Sequence, residues 1–358
     1  MTAPKHVYST HERNEVEKMA RYLGVDLHRN CFTVCTRTRR ETLATQTWRM
    51  KELPEFVKTL RRSDQVAVES TGNTRLFYEA IEPCVKRVVV VNPTQFKVIS
   101  QSVKKTDAND AGTLALFLAK DHPLPEVRMK DKTQAQMASI TQTRDKLVKL
   151  RTTLKNKINN IASAHGVELK REELSSEKGL NWVLSLQWDP LVSTELEVLV
   201  GQIRSLNESI KKLEVTIHEE GPKQEGHENL TSIKGIGKTS SSILLSVIGD
   251  VNDFEDEGKL ASYLGIVPRV HNSNETERSG RITKHGNKLA RTTLVQCSLI
   301  AMRYSPYLRT FYERKKLERG TGKAIIALAR KFLGIIYKTL KNKWVFEDFP
   351  NFILAQTE

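Results

Sequence analysis

The chain has 358 residues, with 57 lysines and arginines against 42 acids, a formal net charge of +15, 39% hydrophobic and 28% charged positions, and a mean hydropathy of −0.44. No uninterrupted apolar run reaches the roughly 18–20 residues that a bilayer requires, which argues against a multi-span membrane protein; no secretory signal is visible, and four scattered cysteines (Cys31, Cys35, Cys84, Cys297) do not make a disulfide scaffold, so a cytoplasmic setting is expected. The positive surplus makes nucleic acid the first partner to test.

From about Arg21 to Leu124, strand and helix signals alternate. YLGVDL, NCFTVCTR and ETLATQTWRM read as three strands of an antiparallel meander, KELPEFVKTLRR as a short amphipathic helix, QVAVES as a fourth strand, TRLFYEAIEPC as a helix and VKRVVVVNP as a fifth strand. A further helix runs through DANDAGTLALFLAK, giving the order βββαβαβα of a mixed sheet with buried central strands. From about Lys130 to Gly221 the chain is helical. Leu196, Leu199, Ile203, Leu206, Ile210, Leu213 and Ile217 repeat every three and four residues, the a/d seam of a coiled coil, and Thr194 with Glu197 reads as a capping box at its start. A hairpin with the earlier helix carrying Leu147, Leu150, Leu154, Ile158 and Ile161 would bury this seam, and so would a dimerisation stalk.

The remainder is helical apart from a strand-like YLGIVP and an irregular, polar RVHNSNETERSGRITKHGN. Between Arg281 and Val345 stand 16 lysines and arginines and only two acids, Glu313 and Glu318. These charges are interleaved with apolar residues at helical spacing, as in KAIIALARKFLGIIYKTLKNK, so they sit on a folded platform able to hold cationic charge against a phosphate backbone. LTSIKGIGKTSSSIL reads as helix, Gly235-Ile236-Gly237 turn and helix. Its backbone N–H groups and Lys238 are placed as in a helix-hairpin-helix that grips phosphates without reading bases; a plain helix cap at Gly235 is the alternative, and the double glycine followed by Lys238 favours the motif.

Four carboxylates stand at element ends: Asp26 ends the first strand, Glu69 ends the fourth, and Asp107 and Asp110 lie one turn apart on the helix that follows. Hard oxygen ligands converging in this way suit one or two Mg²⁺ or Mn²⁺ ions for phosphoryl transfer, and Lys104 and Lys105 suit the approaching phosphate. His28, His122, His165 and His271 read as isolated, so no zinc site is expected.

The acids occupy positions that resemble those of the ribonuclease-H-like fold. In order, GVD, VAVEST, KKTDANDA, IKGIGKTSS, LGIVPR and SGRITKHGNKLAR resemble the DEDD transposases of the insertion-sequence one-ten family, which includes the Piv-type invertases, over nearly the full chain. The resemblance implies a RuvC-like catalytic domain over 18–126 and a coiled-coil segment over 127–222. Over 223–358 it implies a mainly α transposase domain, with the helix-hairpin-helix and a nucleophilic serine. It implies a bacterial recombinase, nucleoid-associated when on DNA, that cuts and rejoins donor and target DNA under a structured bridge RNA, as a dimer or tetramer. Asp26, Glu69, Asp107 and Asp110 match the acidic tetrad, Ser273 fits the serine best with Ser279 as competitor, and Arg269, Arg281 and Lys284 stand where phosphate charge needs neutralising. Three alternatives stay open: a RuvC-like junction endonuclease using water, a non-catalytic nucleic-acid scaffold, and a tyrosine recombinase attacking through Tyr304, Tyr307 or Tyr312.

Overall fold

A computed structural model describes residues 20–93, 95–96, 106–170 and 172–352, apart from 274–275 and the side chains of 270–279. The chain forms two compact units, residues 1–129 and 130–358.

The first unit is a five-stranded sheet of order β3-β2-β1-β4-β5, built from β1 (Tyr22–Leu27), β2 (Cys31–Arg37), β3 (Thr42–Arg49), β4 (Gln65–Glu69) and β5 (Arg87–Val91). β1, β2 and β3 pair antiparallel, while β4 joins β1 and β5 joins β4 in parallel. The two-residue alternation of a strand separates the two sheet faces. Leu23, Val25, Leu27, Val66, Val68, Val88 and Val90 face a core closed by Phe56 of α1 (Leu53–Val57) and by Phe77 and Ile81 of α2 (Thr74–Ile81). Tyr22, Ala67, Val89 and Val91 face α3 (Asp107–Ala119), whose Leu114 and Leu118 cover them. The mixed α/β order expected from the sequence is the one observed.

Gly24 sets the distance between α3 and β1. A Cβ there would lie 2.0 Å from the Ala111 carbonyl oxygen and 2.4 Å from the Ala115 nitrogen. Ala111 and Ala115 are fully buried against Cys35, which pairs with Gly24 across the ladder. Small residues on all three elements let the helix backbone press onto the strand. Gly24→Ala is therefore expected to cost about 3 kcal/mol, read as a lower denaturant midpoint, because backbone rather than a flexible side chain must move. An unchanged midpoint would mean that this close approach is not required.

The second unit is helical. α4 (Lys132–Ala164) and α6 (Pro190–Glu220) run antiparallel, joined through α5 (Glu177–Ser185), and their cross-links fix the direction. Arg144 Nε donates to Glu214 at 2.8 Å, Arg151 to Asn207 at 2.7 Å, and Lys157 pairs with Glu195 at 3.0 Å. Leu196, Ile203, Ile210 and Ile217 of the seam are buried within this one chain, so a second copy is not needed to cover them. The capping box is not formed: Asp189 is the N-cap, Pro190 opens the helix, and Thr194 already lies inside it, donating to the Pro190 carbonyl. Proline at the first turn, where its missing N–H is not needed, places the cap five residues upstream of the expected one.

α8 (Lys238–Ile248) packs against this hairpin, and α7 (His227–Thr231), α9 (Glu257–Leu264), α10 (Lys288–Tyr304), α11 (Pro306–Arg319) and α12 (Thr321–Lys341) assemble with it into one helical body. Leu244, Leu245 and Ile248 of α8, Leu294 and Cys297 of α10, and Leu328, Phe332 and Ile336 of α12 share one core. The stretch expected to be irregular is instead a hairpin of β6 (Pro268–Ser273) and β7 (Thr276–Ile282), and YLGIVP spans the end of α9, a turn and the start of β6. A ladder with mostly polar residues on both strands lacks the apolar alternation by which strands are recognised in sequence.

Candidate active site

Asp26 is the fifth residue of β1 and lies on the α3 face of the sheet, two residues beyond Gly24. The parallel register pairs Val25 with Val68, so Asp26 and Glu69 are the next residues of adjacent strands, at their carboxyl ends. Thr106 caps α3, its hydroxyl accepting from the Asn109 N–H, which places Asp107 and Asp110 in the first helical turn. There the aligned peptide dipoles favour negative charge. Loops hold the rim in place. Thr74 donates to the Glu69 carbonyl at 3.2 Å and accepts from the Thr71 N–H at 2.6 Å, while Asn73 donates to the carbonyls of His28 and Arg29 at 3.1 and 2.8 Å.

The result is a cleft of about 500 Å³ lined by Asp26, His28, Glu69, Asp107 and Asp110, with Thr71, Thr106 and Phe96 among its walls. Asp26 and Asp110 are buried, Glu69 is half-buried and Asp107 is exposed. Burial pushes the Asp26 carboxyl above its ordinary range. Repulsion from Asp107 and Asp110 adds to that rise, and His28 opposes it. His28 Nε2 lies 3.3 Å from Asp26 Oδ2 and 3.4 Å from Asp107 Oδ1. Crowded carboxylates, one of them made more basic by burial and by its neighbours, form a donor set that a hard divalent cation satisfies.

In the second unit, the hairpin ladder pairs Ser273 with Thr276 beside the turn and Ser279 with Val270 three rungs away. The register shifts between Pro268 and Val270, placing Arg269 at a bulge, where its guanidinium donates to the Thr283 carbonyl at 3.4 Å. Arg281 and Lys284 are exposed at the hairpin base. Gly235 has φ +108°, and a Cβ there would lie 2.7 Å from the Ala301 nitrogen, so this glycine is needed for packing against α10. Gly237 caps α8, with Gly237 and Lys238 exposed.

Two family models match the chain. A DEDD transposase model of the IS110 type, described as "Transposase", covers residues 23–165, and one described as "Transposase IS116/IS110/IS902 family" covers 227–313. The chain belongs to the IS110 family of transposases. It is 26% identical to the "Transposase for insertion sequence element IS1111A" of Coxiella burnetii, over 92% of each chain. It is 28% identical to the "Pilin gene-inverting protein" of Moraxella bovis, over 91% of this chain and 97% of that one. It is 24% identical to the "Transposase for insertion sequence element IS1328" of Yersinia enterocolitica, over 80% and 85%.

In this IS110-family transposase, a DNA-processing enzyme, the fold thus brings Asp26, Glu69, Asp107 and Asp110 to one cleft. Lys104 and Lys105 lie outside the described residues, as do the side chains of Ser273 and Ser279. No helix among the described residues is long and apolar enough to cross a membrane. His28, which reads as isolated in the sequence, is not so in the fold: it stands between two of the acids. The signal was its position two residues after Asp26 at the end of a strand, where the chain turns back over the sheet edge.

Proposed function

We propose that this transposase cuts and rejoins DNA through a phosphoserine intermediate, with Asp26, Glu69, Asp107 and Asp110 holding one or two Mg²⁺ or Mn²⁺ ions and Ser273 as the nucleophile. The observation that carries the reading is the convergence of four carboxylates from β1, β4 and the first turn of α3 on one cleft. A bound divalent ion supplies positive charge where an attacking and a leaving oxygen become anionic. The carboxylates fix where that charge sits. The serine hydroxyl gives up its proton as its oxygen bonds to phosphorus, and the displaced DNA oxygen leaves as a hydroxyl. The phosphoserine ester keeps the energy of the broken bond, so a second DNA hydroxyl can displace the serine and rejoin the strand without a nucleotide cofactor. Carboxylates and metal with water alone would make a junction endonuclease with free ends.

Arg269, Arg281 and Lys284 neutralise phosphate beside the serine, Lys104 and Lys105 do so beside the carboxylates, and Gly235, Gly237 and Lys238 grip backbone as a helix-hairpin-helix. The surplus of basic residues after Arg281 supports this reading, with Arg303, Arg309, Lys323, Arg330 and Lys341 all exposed. Target choice is delegated to a bridge RNA that pairs with donor and target DNA, as in other guided systems. The segments 18–126, 127–222 and 223–358 act as RuvC-like, coiled-coil and transposase parts of a dimer or tetramer. Leu150 (55% exposed), Val198 (60%) and Leu191 (87%) on the long helices support association.

DNA carrying the element's ends is expected to be cut with Mg²⁺ or Mn²⁺ and left intact in EDTA; full cleavage in EDTA would remove the ions from the reaction. Lys238→Ala, Arg281→Ala and Lys284→Ala are each expected to lower the dependence of binding on log salt by about one counterion on DNA of unrelated sequence. Slopes equal to wild type would return these charges to the solvated surface.

A further inference from the structure

We infer that His28 is a nitrogen ligand of the divalent ion held with Asp26 and Asp107, and that it makes the site discriminate a first-row transition ion from Mg²⁺. The inference rests on the proposed metal-bearing role of the carboxylates and adds a fifth residue to it. His28 Nε2, Asp26 Oδ2 and Asp107 Oδ1 form one group, with the two nitrogen–oxygen separations at 3.3 and 3.4 Å and all ligand atoms within 4.8 Å of one another. Adjacent ligands around an octahedral ion with bonds of about 2.1 Å stand about 3 Å apart, so the imidazole and each carboxylate are spaced much as neighbours in one coordination shell.

The position of the ring is set by the fold. The His28 N–H donates to the Cys31 carbonyl at 2.9 Å as the chain leaves β1, and Asn73, at the head of α2, donates to the His28 carbonyl on the other side. The backbone is thus pinned at both polar groups, and the half-exposed side chain lines the cleft. An imidazole is a softer donor than a carboxylate and suits first-row transition ions, whereas Mg²⁺ prefers oxygen. A neutral ligand also adds no negative charge to a cleft that already holds four carboxylates.

The test uses the full-length protein and Mn²⁺ as probe, because its unpaired electrons report directly bonded nitrogen. Wild type is expected to show a nitrogen hyperfine coupling that shifts on ¹⁵N-histidine labelling and disappears in His28→Ala. The Mn²⁺ dissociation constant is expected to rise by about 10-fold or more, since even partners outside the coordination shell contribute that much. Mg²⁺ binding, measured by competition, should weaken less, so the Mn²⁺/Mg²⁺ preference falls. His28→Gln, which offers an oxygen from a similar reach, should keep Mg²⁺ binding but not the preference, and it guards against a folding defect in the alanine variant. No histidine coupling in wild type, a coupling that persists in His28→Ala, or tighter Mn²⁺ binding in that variant would overturn the inference and make the imidazole a placeholder that the ion displaces. Asp26→Asn separates the two ideas. Loss of Mn²⁺ there with no effect at His28 overturns only the inference, whereas undiminished Mn²⁺ binding in Asp26→Asn overturns the metal reading itself.

Discussion

Asp26→Asn is expected to lower DNA strand cleavage by on the order of 10³ or more while making the metal-free protein more stable at neutral pH. The two effects share one cause. Asp26 is 6% exposed, and burial, followed by Asp107 and Asp110, raises its carboxyl above the ordinary range. An acid whose folded value lies above its unfolded one binds more protons folded than unfolded. Its favourable contribution is complete below the unfolded value of about 3.9 and is lost as pH rises through the folded value. Once pH exceeds the unfolded value, ionising this buried carboxyl costs the metal-free fold stability, with His28 only partly offsetting it. Asparagine keeps the shape and removes the charge. Thermal melts in EDTA should place the variant above wild type at pH 7, and the gap should close as pH falls towards 4. Added Mg²⁺ should raise the wild-type melting temperature and leave the variant's almost unmoved. Cleavage within tenfold of wild type would remove Asp26 from the reaction. A lower metal-free melting temperature would show that the attraction to His28 outweighs burial.

Ser273→Ala is expected to abolish a protein–DNA adduct that survives SDS, and recombination with it, while DNA binding remains. Ser273 and Ser279 are three ladder rungs apart, about 10 Å along the strand, so a single phosphorus within reach of one is out of reach of the other. Trypsin separates them. Cleavage after Arg269 and Arg278 puts Ser273 in the peptide Val270–Arg278, and cleavage after Arg281 puts Ser279 in the next. A nucleotide mass on the first peptide supports Ser273, and one on the second moves the role to Ser279 with the mechanism intact. Free ends, no adduct, and an active double alanine variant would make water the nucleophile and the chain a junction endonuclease.

Much of the first unit was legible in the sequence because β1, β4 and β5 carry apolar runs that face both sides of the sheet. The five strands and the helix carrying Asp107 and Asp110 all lie where pattern and spacing put them. The acids were legible too, since costly carboxylates at element ends stand out against apolar runs such as Val66–Val68. In the second unit the apolar repeat of α6 announced a long helix, but its partner was chosen by packing against α4.

What the sequence by itself determined were the elements, their order, the acidic residues and the surplus of positive charge after Arg281, because these depend on local periodicity and on the chemistry of single residues. Only the tertiary structure decided that His28 stands between Asp26 and Asp107, because that depends on how closely α3 approaches β1. The approach is set by Gly24, Ala111 and Ala115, three small residues whose meaning appears only when two backbones meet. It also decided that the polar stretch after Val267 is a hairpin, since a ladder is held by backbone hydrogen bonds and gives no period when neither of its faces is apolar.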